Sequence, residues 1–532
     1  MKVLYKMTVA AALLGTTFLA PSCTNLDETI YSEVTADNYY KSGDEVMAAL
    51  LRPWGHFSGS MFAQAPYLLQ ELTADGVAWP QKGRHGYDGG AWIRLHRHQW
   101  TPIENEVERA WYLMYMGIGL ANNMLADIEN IDFEALKVPI SKEQAKAEMR
   151  TYRAYCYWYL MDLYGDVPIS ETIGEINPST NTRKEVFDYV VKELTESIPN
   201  LTESKIESYG RVSKWGAMAL LARVYLNAEI YSGTAHWDDC LSICNEIQSK
   251  GGFVLDKNWN DPFKADNDKV STENIWLVAY DQIYGKGMGW YLRWFHYAHQ
   301  SGWNLKSGPW NGLVCQPSFY DSFADNDKRK TEGFLIGTQY PRKTDENGNY
   351  YFDTTAEPLL GSEEYAGEPL VFVNEIKSMT EGEENSGARS IKYETIEQSL
   401  GDQDNDWVVF RYSDILFMKA EALMRKNGNK ATQEVVDLIN SVRERAFDAA
   451  DWEKAKYTTA TLTMDEFLAE RGREFAFEGT RRSDMIRFGK YVTTSWWDHP
   501  ASMKAEYNLF PIPSKQLASN PNLKPNAANS LY

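Results

Sequence analysis

A chain of 532 residues is long enough for one large core or for two to three lobes. Its formal charge of −20, with no polybasic stretch, makes nucleic acid and anionic lipid surfaces poor partners. Aromatic residues make up 13%, including 18 Trp and 32 Tyr, and much of this content falls in polar, glycine-rich stretches, where core residues are less usual.

The chain opens with an export signal over residues 1–22. Lys2 and Lys6 give a basic start, and an apolar run follows from Met7 to about Ala20. That run is too short to span a bilayer, which takes about 20 apolar residues, and it fits the apolar segment of a secretory signal. It ends at Leu19-Ala20-Pro21-Ser22-Cys23, so Cys23 is expected to become the lipidated first residue of a lipoprotein, with residues 23–36 as a polar tether. A diacylglyceryl group with a further acyl chain would hold such a protein durably, since each buried CH₂ contributes about 0.8 kcal/mol. No other run of 18 or more apolar residues occurs.

From residue 37 to 250 the pattern is helical. A helix is predicted from near Ser42, and residues 72–101 read as a loop-rich segment. Long helices follow at about 104–130 and 142–163, the second broken by Tyr164-Gly165-Asp166-Val167-Pro168. Further helices are predicted at about 184–198, 213–231 and 236–249. Small and large side chains alternate in the 215–231 segment in the manner of paired tetratricopeptide helices. Between 251 and 405, Gly, Asn, Asp, Ser and aromatic residues dominate and helical periodicity fades. Long irregular stretches of this kind are usually functional. From 406 to 532 helices return at about 408–426, 431–447 and 463–477, with Thr463 and Glu466 as a capping box. A short helix and an extended Pro- and Asn-rich tail complete the chain.

Five features in this order resemble the SusD/RagB family of outer-membrane nutrient-binding lipoproteins. They are the Cys23 signal, Tyr164-Gly-Asp-Val-Pro168, Arg411-Tyr412-Ser413-Asp414 with Lys419-Ala420-Glu421-Ala422, Arg471-Gly-Arg-Glu-Phe-Ala-Phe-Glu-Gly-Thr-Arg481 through Arg487, and Phe510-Pro-Ile-Pro513 with Asn520-Pro521-Asn522-Leu523. Gly472 and Thr480 depart from the larger residues frequent in that motif. The resemblance implies a mainly α fold: tetratricopeptide-like helix pairs, an α-α superhelix, supporting a loop-rich, irregular ligand-binding region. It implies a surface-exposed protein, lipid-anchored to the outer membrane, which captures glycan for a SusC-like TonB-dependent transporter. It implies neither a cofactor nor catalysis. The charged residues Arg471, Glu474, Glu478, Arg481, Asp484 and Arg487 are expected to pair with one another and with Arg411, Asp414 and Glu421.

Sugar rings present apolar C–H faces and hydroxyl edges, which flat aromatics and Asp, Asn or Arg match respectively. Two segments have this character, Asp75 to Trp92 and Gly289 to Cys315. Within them Trp79, Trp92, Trp303 and Trp310 are the candidate stacking rings, with Tyr87 beside them. Asp75 and Arg389 are the candidate edge contacts. Each Trp could instead cap the helical array as core. Many Trp lean towards a β-linked glucan or hemicellulose. A peptide ligand remains the alternative, and a secreted glycoside hydrolase a remote one, since no nucleophile motif occurs. No metal site is expected: His96-Arg97-His98 lacks companions at metal spacing, and Asp402-Gln-Asp-Asn-Asp406 lacks the glycine of a calcium loop. Cys156, Cys240, Cys244 and Cys315 read as free buried thiols.

Overall fold

A computed structural model of the chain describes residues 40–62, 64–346 and 350–532. The export signal, Cys23 and the tether lie outside them. The helices used below are α1 (Gly43–Ser60), α2 (Ala65–Glu71), α3 (Ala91–His96), α4 (Asn105–Asn130), α5 (Lys142–Tyr164), α6 (Arg183–Ser197), α7 (Lys214–Leu226), α8 (Trp237–Lys250), α9 (Trp290–Trp294), α10 (Tyr412–Lys426), α11 (Gln433–Arg443), α12 (Met464–Glu474) and α13 (Arg481–Arg487). The strands are β1 (Val77–Ala78), β2 (Asn274–Val278), β3 (Val314–Cys315), β4 (Arg342–Thr344), β5 (Tyr350–Phe352) and β6 (Trp407–Arg411).

Local chemistry sets the helix ends. Ser42 caps α1 by accepting from the Glu45 amide at 3.3 Å, and Ser141 caps α5 by accepting from Gln144 at 3.0 Å. Thr182 and Glu185 form a reciprocal capping box on α6. At α12 half of the expected box forms: Thr463 accepts from the Glu466 amide, while the Glu466 carboxylate turns to Arg473 and the Tyr457 hydroxyl. Gly165 ends α5 at φ +79°, a conformation that costs a side chain dearly.

Successive helices pack as pairs: α4 on α5, α5 on α6, α7 on α8, α8 on α10 and α10 on α11. The centre of this array is α5, whose residues are buried on every side from Thr151 to Tyr164. Its buried charges are paired, Arg153 with Glu193 and Asp162 with Arg482. Close approach needs glycine at Gly117 of α4, where a Cβ would come within 2.7 Å of the Tyr152 hydroxyl and 2.8 Å of the Cys156 sulfur. The tail returns to the same helix: Phe510 donates to the Leu163 carbonyl, and the Asn526 amide spans the Tyr164 and Phe510 carbonyls.

Residues 251–405 are tied to the rest of the chain by short antiparallel ladders, β6 with β2 and β1 with β3, and carry their own hairpin, β4 with β5. The helix predicted from 408 begins four residues later. Residues 407–411 form β6 instead, because they are buried and pair with β2, Trp407 opposite Val278 and Arg411 opposite Asn274. Similarly, the helix predicted over 213–231 breaks at Asn227. Cys156, Cys240, Cys244 and Cys315 are free and buried.

Buried charge ties residues 251–405 to the C-terminal helices. Arg411 holds Glu273 at 2.9 Å, Glu474 at 2.7 Å and Glu478 at 2.9 Å; Arg329 holds Asp327, Glu470 and Glu474; Lys392 holds Glu478 at 2.6 Å. Burial alone would raise the Glu474 pKa, but Arg411, Arg445 and Arg329 outweigh it and hold the carboxyl far below its usual range. Arg471 bridges Asp414 and Asp484, and Arg487 bridges Glu421 and Asp484, as the charge spacing predicts. Opening one member of such a set strands its partner and costs about 3–5 kcal/mol.

Candidate functional site

The segment after α2 is held at both ends before it reaches its aromatic residues. Arg481 grips Asp75 through two nitrogens, at 2.6 and 2.8 Å. Gly472 makes room for that arginine, since a Cβ there would meet its guanidinium at 2.6 Å. The departure at 472 noted in the sequence thus has a packing role. Asp75 was expected at the ligand edge. Both of its oxygens are taken by Arg481, so it acts as an anchor of the loop.

Next, β1 pairs with β3, Ala78 opposite Val314, which sets Trp79 against Gly312. A Cβ at 312 would lie 2.6 Å from the indole of Trp79 and 3.1 Å from the Arg293 carbonyl. Lys82, buried, donates to the carbonyls of Asn311 and Gly312 at 2.6 and 2.7 Å and fastens the two segments together. Burial pushes its ammonium pKa well down. Gly89 and Gly90, at φ +64° and +79°, turn the chain into α3 and bring Trp92 back onto Trp79. The two indoles stack at 5.0 Å with 15° between planes. The Trp92 indole N–H donates to Asp88 at 2.6 Å, which fixes its orientation. Both rings are half-buried, and Tyr87 beside them is 53% exposed.

Trp310 enters from the other segment. Its amide donates to the Leu292 carbonyl of α9, and the Arg293 guanidinium lies 5.0 Å from the ring. Burial lowers the Arg293 pKa to about 10. The ring stays 48% exposed. The structure thus brings Trp79, Tyr87, Trp92 and Trp310 onto two segments fastened at residues 311–312.

Trp303 and Arg389 go elsewhere. Trp303 is 2% exposed, with its indole N–H on the Tyr340 carbonyl, Phe295 edge-on at 4.9 Å and the Arg342 guanidinium 4.3 Å above the ring. No face is left for a ligand. Arg389 is fully buried. It donates to Asn311 and to the carbonyls of Glu384, Ser386 and Gly387, and burial lowers its pKa to about 9. It fixes the segment carrying Trp310 from behind.

Of the exposed rings that the sequence did not single out, Tyr284 is the most exposed. It is 91% exposed at the tip of a tight hairpin, Asp281 to Gly285. Asp281 accepts from the amides of Ile283 and Tyr284, Asp404 from Gln282, and Asp402 from Gly287. The acidic run 402–406 is therefore occupied in pinning this hairpin, which leads through Gly289 into α9 and so to the backbone partner of Trp310. An Asp-Gln-Ile-Tyr-Gly turn is legible in sequence, but the direction of its tyrosine is not.

His96 and His98 find a companion in His499, within a box of Trp496, Tyr491 and Trp100. Burial lowers the pKa of His96 and His499 to about 4. Among the described residues no group of three or more His, Cys, Asp or Glu is placed to hold a metal ion, and no helix is long and apolar enough to cross a membrane.

With this geometry in hand, comparison with known proteins is informative. A sequence model of the SusD family matches residues 272–532, and one described as starch-binding associating with outer membrane matches residues 62–226. The chain is 25% identical over 503 residues to the starch-binding protein SusD of Bacteroides thetaiotaomicron, covering 88% of this chain and 86% of that protein. It is 26% identical over 451 residues to the SusD-like protein P25 of Formosa agariphila, covering 80% of each. In fold it is similar to a SusD superfamily protein from Parabacteroides distasonis, with a TM-score of 0.69 at 20% identity over 93% of this chain and 99% of that one. It is equally similar to the surface glycan-binding protein A of Bacteroides thetaiotaomicron, solved in complex with laminarihexaose, with a TM-score of 0.69 at 18% identity over 91% and 99%.

Proposed function

The chain belongs to the SusD family, and from that premise we propose that it is a cell-surface glycan-binding protein, not an enzyme. The observation that carries this reading is the set of exposed and half-exposed rings, Trp79 with Trp92, Tyr87, Trp310 and Tyr284, on backbone that is fastened before any ligand arrives. Rigid flat rings offer apolar contact at little entropy cost on ordering, which suits the C–H faces of successive sugars. Asp88, bound to the Trp92 indole, supplies a carboxylate at that ring's edge, and Arg293 backs one face of Trp310. The named functions of the relatives, starch binding in one and glycan binding in another, support the same class. The abundance of Trp favours a β-linked backbone such as a glucan or hemicellulose.

The fuller reading adds an anchor and a partner. Cys23 carries the lipid, the protein sits on the outer membrane, and captured glycan passes to a SusC-like TonB-dependent transporter. In cells, Cys23→Ala is expected to move the protein from the membrane to the soluble fraction; unchanged fractionation would refute the anchor.

The ligand class is tested by native affinity electrophoresis of residues 24–532 in gels containing plant, fungal and host polysaccharides. Retardation by at least one polysaccharide, abolished or reduced by Trp310→Ala, is expected. Migration unaffected by every polysaccharide would overturn the glycan reading.

A further inference from the structure

A separate cavity of about 520 Å³ lies between the loop that precedes α7, the short helix Asn267–Val270 and strand β2. Its size falls within the range of small-molecule sites. The rings assigned above do not line it. Ile206, Tyr209, Ile275 and Leu277 give it an apolar surface, and Lys205 and Lys269 project from two different segments.

The polar groups here differ in how far they are already engaged. Arg211 is neutralised by Glu148 at 2.6 Å. Ser208 and Ser213 serve the backbone, the first on the Ser204 carbonyl and the second on the Gly216 amide. The Tyr209 hydroxyl donates to the buried Asp406 carboxyl group at 2.9 Å, which fixes the ring as a wall of the cavity and leaves 49% of the residue exposed. Lys205 is only partly exposed, and its ammonium rests 5.6 Å from the Phe253 ring. Asp256 is its nearest acidic neighbour and is itself engaged by Ser271 and Thr272. Lys269 has Asp268 at 4.0 Å, the outer limit of an ion pair. Two cations thus face an apolar-walled cavity, with Asp268 beside Lys269, Asp256 acting on Lys205 from outside ion-pair distance, and Asp406 behind the Tyr209 ring.

We propose that this cavity is a second ligand site, independent of the ring surface, for an acidic sugar: a ring whose apolar face lies on Tyr209, Ile206 and Leu277 and whose anionic group meets Lys205 and Lys269. A uronate and a sulfate ester share this chemistry. A half-buried ammonium that holds no close ion pair gains more from an anion than a solvated one does, because the low local dielectric strengthens the attraction.

The test is saturation-transfer NMR and calorimetry on residues 24–532 with methyl glucuronide, glucose 6-sulfate and neutral methyl glucoside. Binding of at least one acidic sugar is expected, at least tenfold tighter than the neutral one and weakened at least tenfold in Lys205→Met/Lys269→Met. Ile206→Glu, which sets a carboxylate at an exposed position of the lining, should weaken it similarly without lowering the melting temperature. Trp310→Ala should leave it unchanged. Equal binding of acidic and neutral sugars, indifference to the lysine substitutions, loss in Trp310→Ala, or no binding would each overturn the proposal. Glucuronide without sulfate, or the reverse, identifies the anion.

Discussion

Trp303 and Trp310 lie seven residues apart in one glycine- and aromatic-rich segment, and composition does not separate them. The structure buries one to 2% exposure and leaves the other at 48%. Trp303 follows a helical turn that inserts it beneath the β4–β5 hairpin, between Phe295 and Arg342. Trp310 follows a turn at Asn304 and sits on an extended stretch tied edge-to-edge to α9 by its own backbone. What decides each ring's role is where its backbone hydrogen bonds go. A ring on a strand-like edge has one face backed and one free, whereas a ring at the end of a helical turn is swallowed by what packs over it.

The largest effect is expected of Trp303→Ala. A buried Trp replaced by Ala leaves a cavity, and a stability loss of about 3–5 kcal/mol is expected in urea unfolding, with glycan affinity per folded molecule unchanged. A variant that melts normally but binds weakly would put Trp303 in the site after all. Next is Trp310→Ala, expected to weaken glycan binding by about 1–3 kcal/mol, by analogy with base stacking on aromatic rings, with little change in melting temperature. Gly312→Ala perturbs the paired rings without removing one. Its Cβ would strike the Trp79 indole and crowd the Arg293 carbonyl, so the Trp79–Trp92 stack should shift and affinity should fall while all 18 tryptophans remain. Retained affinity would mean that the stack is no part of the surface.

The smallest effect concerns Asp406, which holds the Tyr280 amide at 2.8 Å at the root of the Tyr284 hairpin. Burial raises its pKa from 3.8 to about 7. The folded state therefore holds this proton where the unfolded chain has released it, and stability falls as pH rises from about 4 through about 7. Asp406→Asn, which keeps the shape without the charge, should raise the melting temperature relative to wild type more at pH 8 than at pH 5. An equal change at both would show that the carboxyl is not protonated in the fold.

Much of the helical frame was legible in the sequence, since caps and breakers act locally: Ser42, Ser141 and Gly165 mark ends that the structure keeps. The pairing of Arg471 and Arg487 with Asp414, Asp484 and Glu421 was legible from spacing, whereas Arg481, expected in the same set, turns to Asp75. The start of α10 was not, because pairing between β6 and β2 depends on residues more than a hundred positions away. The same holds for the candidate site. Trp79, Trp92, Tyr87 and Trp310 stand on the surface or partly so, while Asp75, Arg389 and Trp303 are engaged by Arg481, by carbonyls and by core. No local signal distinguishes an arginine that meets a ligand from one that meets three backbone carbonyls. Tyr284 went unseen for the converse reason: its exposure follows from a hairpin pinned by Asp402 and Asp404 on a distant loop.

The division between exposed and buried rings is tested most directly by fluorine NMR of residues 24–532 carrying 5-fluorotryptophan, titrated with a retained oligosaccharide. Assignment comes from single Trp→Phe variants. The resonances of Trp310 and of the Trp79–Trp92 pair should move with saturation, and those of Trp290, Trp294 and Trp303 should stay. Movement of Trp303 with Trp310 silent would contradict the account.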